Sequence, residues 1–112
     1  MLRTHTNGEL TTKNIDQTVT LTGWVHRRRD HGGVIFIDLR DRYGITQIIT
    51  GPIKFSESHQ KADQVRHEFV IQIIGMVRHR PEGQENHKMV TGAIEVLIEK
   101  FEILKVGFLN YK

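Results

Sequence analysis

From Thr18 onward polar and apolar residues alternate at period two, the spacing of a half-buried strand: Thr18, Thr20 and Thr22 interleave with Val19, Leu21 and Gly23. This strand runs into His26-Arg27-Arg28-Arg29, and Asp30-His31-Gly32-Gly33 supplies turn chemistry, with glycines free to take positive φ. In the second strand Ile35, Ile37 and Leu39 fall on one side of the pleat, and Val34, Phe36, Asp38 and Arg40 on the other. Arg42-Tyr43-Gly44 makes the next turn, and a third strand ends where Gly51-Pro52 denies the ladder a donor. From about Phe55 to Val65 the chain is polar and helix-friendly, with Ser56 as the expected N-cap and Phe55, Ala62 and Val65 as a single apolar stripe. A fourth strand spans Phe69 to Arg80. Phe69, Ile71, Ile73 and Val77 share its inner face with Gly75, placed where a bend or a close backbone approach needs a glycine. The polar stretch from Pro81 to Ala93 reads as a long loop, and Ile94, Val96 and Ile98 open a fifth strand that continues through Phe101 and Ile103. Ahead of the first strand, residues 1–9 read as an extended lead-in with a turn at Asn7-Gly8, and Thr11 to Asp16 as one short helical turn.

Five strands with one helix between the third and fourth is the element order of an all-β, five-stranded OB-fold Greek-key barrel. In such barrels the face of strands two and three, with the loops joining strands one to two and four to five, binds oligonucleotides. With 112 residues the chain makes one domain, large enough to bury a core without staples. Its 16 Lys and Arg against 13 Asp and Glu give a net charge of +3, which decides little. The placement decides more, because basic residues crowd at 27–29, 40–42 and 78–80, beside the loops of that face. Cysteine is absent, which excludes a disulfide framework and thiolate chemistry and suits a reducing compartment. No apolar run reaches the length of a membrane span and no secretion-signal pattern opens the sequence, so the expectation is a soluble, cytoplasmic chain.

If the aliphatic trio of strand two faces the core, Phe36 stands outside among charged residues. An outward aromatic beside arginines is an arrangement that stacks an unpaired base and holds its phosphate; the alternative is that the ring covers a loop or fills a cross-strand pair. Arg27, Arg28 and Arg29 offer phosphate contacts, although alternation sends at least one of them elsewhere, to a carboxylate such as Asp38 or Asp41. Gln47 carries an amide able to read a base edge, or is an ordinary surface glutamine; Ile45, Ile48 and Ile49 do not alternate cleanly enough to fix its side. Glu82 and Glu95 can accept from base amino groups, or pair with Arg78 or Arg80. Seven histidines lack metal-ligand spacing, and no nucleophile, phosphate loop or acid–base pair stands out, so neither a metal, a cofactor nor a catalytic residue is expected.

The strings GWVHRRRDHGGVIFIDLRDRYGITQII, RHEFVIQIIGMVRHRPEGQ and TGAIEVLIEKFEIL closely resemble the N-terminal domain of bacterial aspartyl-tRNA synthetases. The resemblance covers roughly residues 2–104, and leaves 105–112 as a tail that matches no hinge of that family. It implies an anticodon-binding domain for tRNA, of the type that accepts both aspartate and asparagine tRNA. By the same resemblance, Phe36 stacks on the middle anticodon base, Gln47 reads its edge and Arg29 contacts the loop. Arg80, Glu82 and Glu95 lie in segments that approach the first anticodon base. His31 and Gly83 occupy the loop positions where members serving both tRNAs tend to carry His and Gly, and strict ones Leu and Lys. Ala93 stands where the family carries glutamate. The class II catalytic motifs are absent from the chain. ATP and magnesium are therefore expected only in the catalytic part of an implied parent, itself a homodimer, and the isolated domain is expected to be a monomer. Two other readings remain open: a general single-stranded nucleic-acid module, and a protein-interaction scaffold.

Overall fold

The alternation closes on itself. A computed structural model describes residues 2–51 and 56–106, and in it the strands form a closed barrel in the order β1-β2-β3-β5-β4, with β4 pairing back onto β1. The strands are β1 (Thr18–His31), β2 (Val34–Asp41), β3 (Gly44–Thr50), β4 (Val70–His79) and β5 (Ile94–Lys105). All neighbours run antiparallel except β3 and β5, whose short parallel ladder pairs Ile48 with Val96 and Ile49 with Leu97. This is the OB-type barrel that the element order implies. The turn at Thr11 to Asp16 is a short 3-10 segment (Thr12–Asn14), closed by a reciprocal capping box between Thr11 and Asn14.

Inward residues of every strand converge on one core: Val19 and Leu21 of β1, Ile35, Ile37 and Leu39 of β2, Ile48 of β3, Ile71, Ile73 and Val77 of β4, and Val96, Ile98 and Phe101 of β5. Leu10, from the lead-in, is also fully buried, a core residue with no periodic neighbours to announce it. The helix α1 (Ser56–Gln64) closes one end with Ser58, Ala62 and the following Val65, and the Ser58 hydroxyl donates to the Glu99 carbonyl at 2.8 Å. Ser56 is thus the first helical residue rather than the cap. The expected strand stop at Pro52, the contribution of Phe55 and the tail from 107 lie outside the described residues. Gly75 sits where the β4–β5 register shifts, and a Cβ there would meet the Leu97 carbonyl oxygen at 2.4 Å, the close backbone approach expected of it.

Two local devices aim the working face. Gly32 and Gly33 both take positive φ, 58° and 86°, between the paired residues His31 and Val34, which is the geometry of a type I′ hairpin. A β-bulge lies between Val25 and Arg27, since Val25 opposes Leu39 while Arg27 opposes Asp38. The extra residue, His26, reverses the parity of everything after it. Val25 points inward before the bulge, whereas Arg27 and Arg29 beyond it share the outward face of Asp38 and Phe36.

Candidate nucleic-acid interface

The outward face of β2 presents Phe36, Asp38 and Arg40 in succession, and its register sets Arg29 beside Phe36 and Gln47 opposite Asp38. The Arg29 guanidinium lies 5.4 Å from the centre of the Phe36 ring, and the His31 imidazole meets the same ring edge-on at 6.2 Å. Phe36 is half-buried rather than in the core, so one part of its ring is open toward a hollow of about 530 Å³. Arg27, Arg29, His31 and Arg80 bring positive charge or donors to that hollow. Gln84, Asn86 and Met89 enter it from the loop between β4 and β5.

That loop is tied to itself. The Asn86 amide donates to the Gly92 carbonyl, Gly92 to Met89 and Met89 to Asn86, and a Cβ on Gly92 would fall on the Asn86 carbonyl. The Asn86 side chain also donates to the Met89 sulfur at 3.3 Å. A long loop closed by its own backbone hydrogen bonds holds its inward side chains in place. Asn86 and Met89 thereby join the site, although a polar loop offers no periodicity by which a sequence reveals which residues turn inward.

Behind the hollow runs a buried polar relay. Gln47, 6% exposed, accepts from Arg29 Nη2 through Oε1 at 3.2 Å and donates from Nε2 to Glu95 Oε1 at 2.9 Å. Glu95, 1% exposed, takes its second donor from Arg78 Nε at 2.9 Å, directly across the β4–β5 pair. Gln47 is therefore no surface glutamine, and its amide orients Arg29 from below. Glu95 is the salt-bridge partner of Arg78, one of the two pairings open from sequence. Arg28 leaves the face altogether, but its carboxylate is Asp63 of α1, at 3.0 Å, rather than Asp38 or Asp41. Asp38 instead lies 4.0 Å from Arg29. Asp41 turns inward to accept from the backbone amides of Asn7, Tyr43 and Gly44.

Arg80 holds the least comfortable charge. It is 8% exposed and its Nε donates to the Ile94 carbonyl at 3.0 Å, yet Nη2 is buried and finds no hydrogen-bond partner among the described residues. Burial lowers its pKa from the usual arginine value; Glu95 and Asp38 oppose that shift and Arg29 adds to it. A buried guanidinium with one donor unmatched is costly, and this one belongs to a residue that lines the hollow. Glu82 and Gly83 stand apart from this arrangement: Glu82 is exposed, and Gly83 sits at φ 84° on the outer part of the loop. Among the described residues no group of three or more His, Asp or Glu side chains could hold a metal ion.

An outward aromatic of β2, arginines of β1 beside it and Arg80 at the end of β4, all lining one hollow of a closed five-stranded barrel, fit a nucleic-acid-binding OB module. Residues 19–104 match the tRNA anticodon family, described as an OB-fold nucleic acid binding domain, and the chain belongs to it. Over 102 residues, 91% of the chain, it is 55% identical to the aspartate–tRNA(Asp/Asn) ligase of Moorella thermoacetica, of which it spans only 17%. Asparaginyl-tRNA synthetase from Pyrococcus horikoshii superposes with a TM-score of 0.75 at 25% identity, covering 91% of this chain and 23% of that one. The OBody AM2EP06 bound to hen egg-white lysozyme superposes with a TM-score of 0.80 over 94% of this chain and 95% of the other. At 22% identity that likeness shows the fold alone.

Proposed function

We propose that this chain binds tRNA through the anticodon loop, as the anticodon-recognition domain of an aspartyl-tRNA synthetase that accepts both aspartate and asparagine tRNA. The 55% identity to an Asp/Asn ligase over 91% of the chain carries this reading. The site fits it chemically: Phe36 stacks the middle base, Arg29 and Arg27 neutralise backbone phosphate, and Arg80 gives its spare donor to a neighbouring base or phosphate. Gln47 holds Arg29 in place and retains one amide hydrogen for a base edge. His31, at the end of β1 against Phe36, and Gly83, in the β4–β5 loop, set which third base is tolerated.

Adenylation and aminoacyl transfer, with their ATP and magnesium, belong in this reading to the remainder of a dimeric cytoplasmic parent, and the isolated chain is a monomer without aspartate-dependent pyrophosphate exchange. Titrating the chain with RNA hairpins carrying the aspartate anticodon, the asparagine anticodon and a scrambled loop, at two salt concentrations, tests the proposal. The two cognate hairpins should bind within about 1 kcal/mol of each other, less than one mismatched contact costs. The scrambled loop should bind much more weakly. Equal affinity for all three would reduce the chain to a general single-strand binder.

A further inference from the structure

A second hollow, of about 410 Å³, opens beside the first, between the β2–β3 turn and the β4–β5 loop. Met89 borders both. Arg40, the last outward residue of β2, forms its wall four positions from Phe36, about 13 Å away at the usual strand rise. Tyr43 stands at the turn with its side chain in solvent, and the residue is 55% exposed. The Arg3 and Arg42 guanidiniums lie 5.5 and 5.7 Å from the ring centre, within cation–π range, as Arg29 does at Phe36, and still leave more than half of the residue exposed. Among the described residues, Arg3, Arg40 and Arg42 form no ion pair.

The turn that carries this ring is held firmly. Asp41 Oδ1 accepts from the amides of Tyr43 at 2.8 Å and Gly44 at 3.1 Å, while Oδ2 accepts from Asn7 at 2.9 Å. Gly8 and Gly44 press together so closely that a Cβ on Gly44 would meet the Gly8 Cα at 2.7 Å, and one on Gly8 would overlap the Tyr43 carbonyl oxygen. A buried carboxylate and two glycines thus fix the backbone beneath an aromatic that the core does not use.

We infer that this hollow is a second nucleotide subsite, in which Tyr43 stacks a loop base outside the anticodon triplet and Arg40 and Arg42 neutralise the adjoining phosphates. The inference rests on the RNA-binding reading of the Phe36 hollow and extends its track along β2, past Met89. Arg3 and Arg42 beside an exposed ring on a backbone-fixed turn, with Arg40 lining the hollow and none of the three in an ion pair among the described residues, suit a polyanion with flat bases better than a protein surface.

The test uses the 112-residue chain and a hairpin with the aspartate anticodon, together with versions made abasic at single loop positions outside the triplet. Tyr43→Ala should weaken hairpin binding about tenfold, the worth of one base–aromatic stack. One abasic hairpin should show the same loss against the original chain and no further loss against Tyr43→Ala, the non-additivity of two halves of one contact. Tyr43→Phe should restore affinity, which separates stacking from any effect of the turn on folding. Hairpin binding within twofold of the original for Tyr43→Ala, while Phe36→Ala still weakens it, would overturn the subsite and leave the anticodon reading standing. Failure of both substitutions to alter binding would end the two together.

Discussion

Phe36, Gln47 and Arg80 border one hollow, yet their substitution should have three different consequences. The Phe36 ring is half-buried and belongs to the outward face, so Phe36→Ala should weaken hairpin binding by about 1–3 kcal/mol. Chemical denaturation should show much less than the roughly 3–5 kcal/mol that a core phenylalanine costs; the full core loss with intact affinity would place the ring in the core. Gln47→Ala removes a donor from the buried Glu95 carboxylate and an acceptor from Arg29. It should therefore destabilise the fold by about 1–3 kcal/mol and also weaken binding of every loop, because Arg29 loses its support. A change confined to base preference would contradict that relay. Arg80→Met exchanges a buried, partly unsatisfied cation for an apolar chain of similar length. Stability should stay within about 1 kcal/mol or rise, while hairpin affinity falls at least tenfold.

At the level of elements, the bulge at His26 and the approach of β4 to β5 at Gly75 do the shaping. Gly75 combines a register shift with a backbone neighbour inside normal contact distance. Gly75→Ala should cost about 1–3 kcal/mol by overpacking, read as a lowered denaturation midpoint with an unchanged denaturant slope. Its place in β4 was legible in the sequence as a glycine on an otherwise apolar face. The bulge was not. Val25, His26 and Arg27 carry no turn residue, and the shift is set by the separate demands of pairing β1 with β4 on one side and with β2 on the other.

For the molecule as a whole, the proposed dual acceptance of aspartate and asparagine tRNA can be tested at two positions far apart in sequence, His31 and Gly83. His31 ends β1 and touches the edge of Phe36, while Gly83 begins the β4–β5 loop at φ 84°. The double substitution His31→Leu and Gly83→Lys should widen the preference for the aspartate hairpin, as measured by competition between the two RNAs. A side chain at position 83 in that conformation carries about 1–2 kcal/mol of backbone strain, so the variant's thermal stability must be compared alongside. An original chain already favouring aspartate by about a hundredfold, near 2.7 kcal/mol, would remove the basis for dual acceptance.

Period two by itself determined the inward set of β2, the core face of β4, the hairpin at Gly32-Gly33 and the outward placing of Phe36, because these follow from local alternation and from glycine's conformational range. Element order likewise implied the barrel. What the tertiary structure decided was the company each polar residue keeps. Asn7 and Asp41 are 34 positions apart and Gln47 and Glu95 are 48 apart, yet each pair shares a buried hydrogen bond. Arg28 and Arg29 are adjacent in sequence, but one reaches α1 and the other the site. No spacing along a chain encodes such partners; barrel closure brings them together, and the cost of leaving a buried donor or acceptor unmatched then selects the pairing.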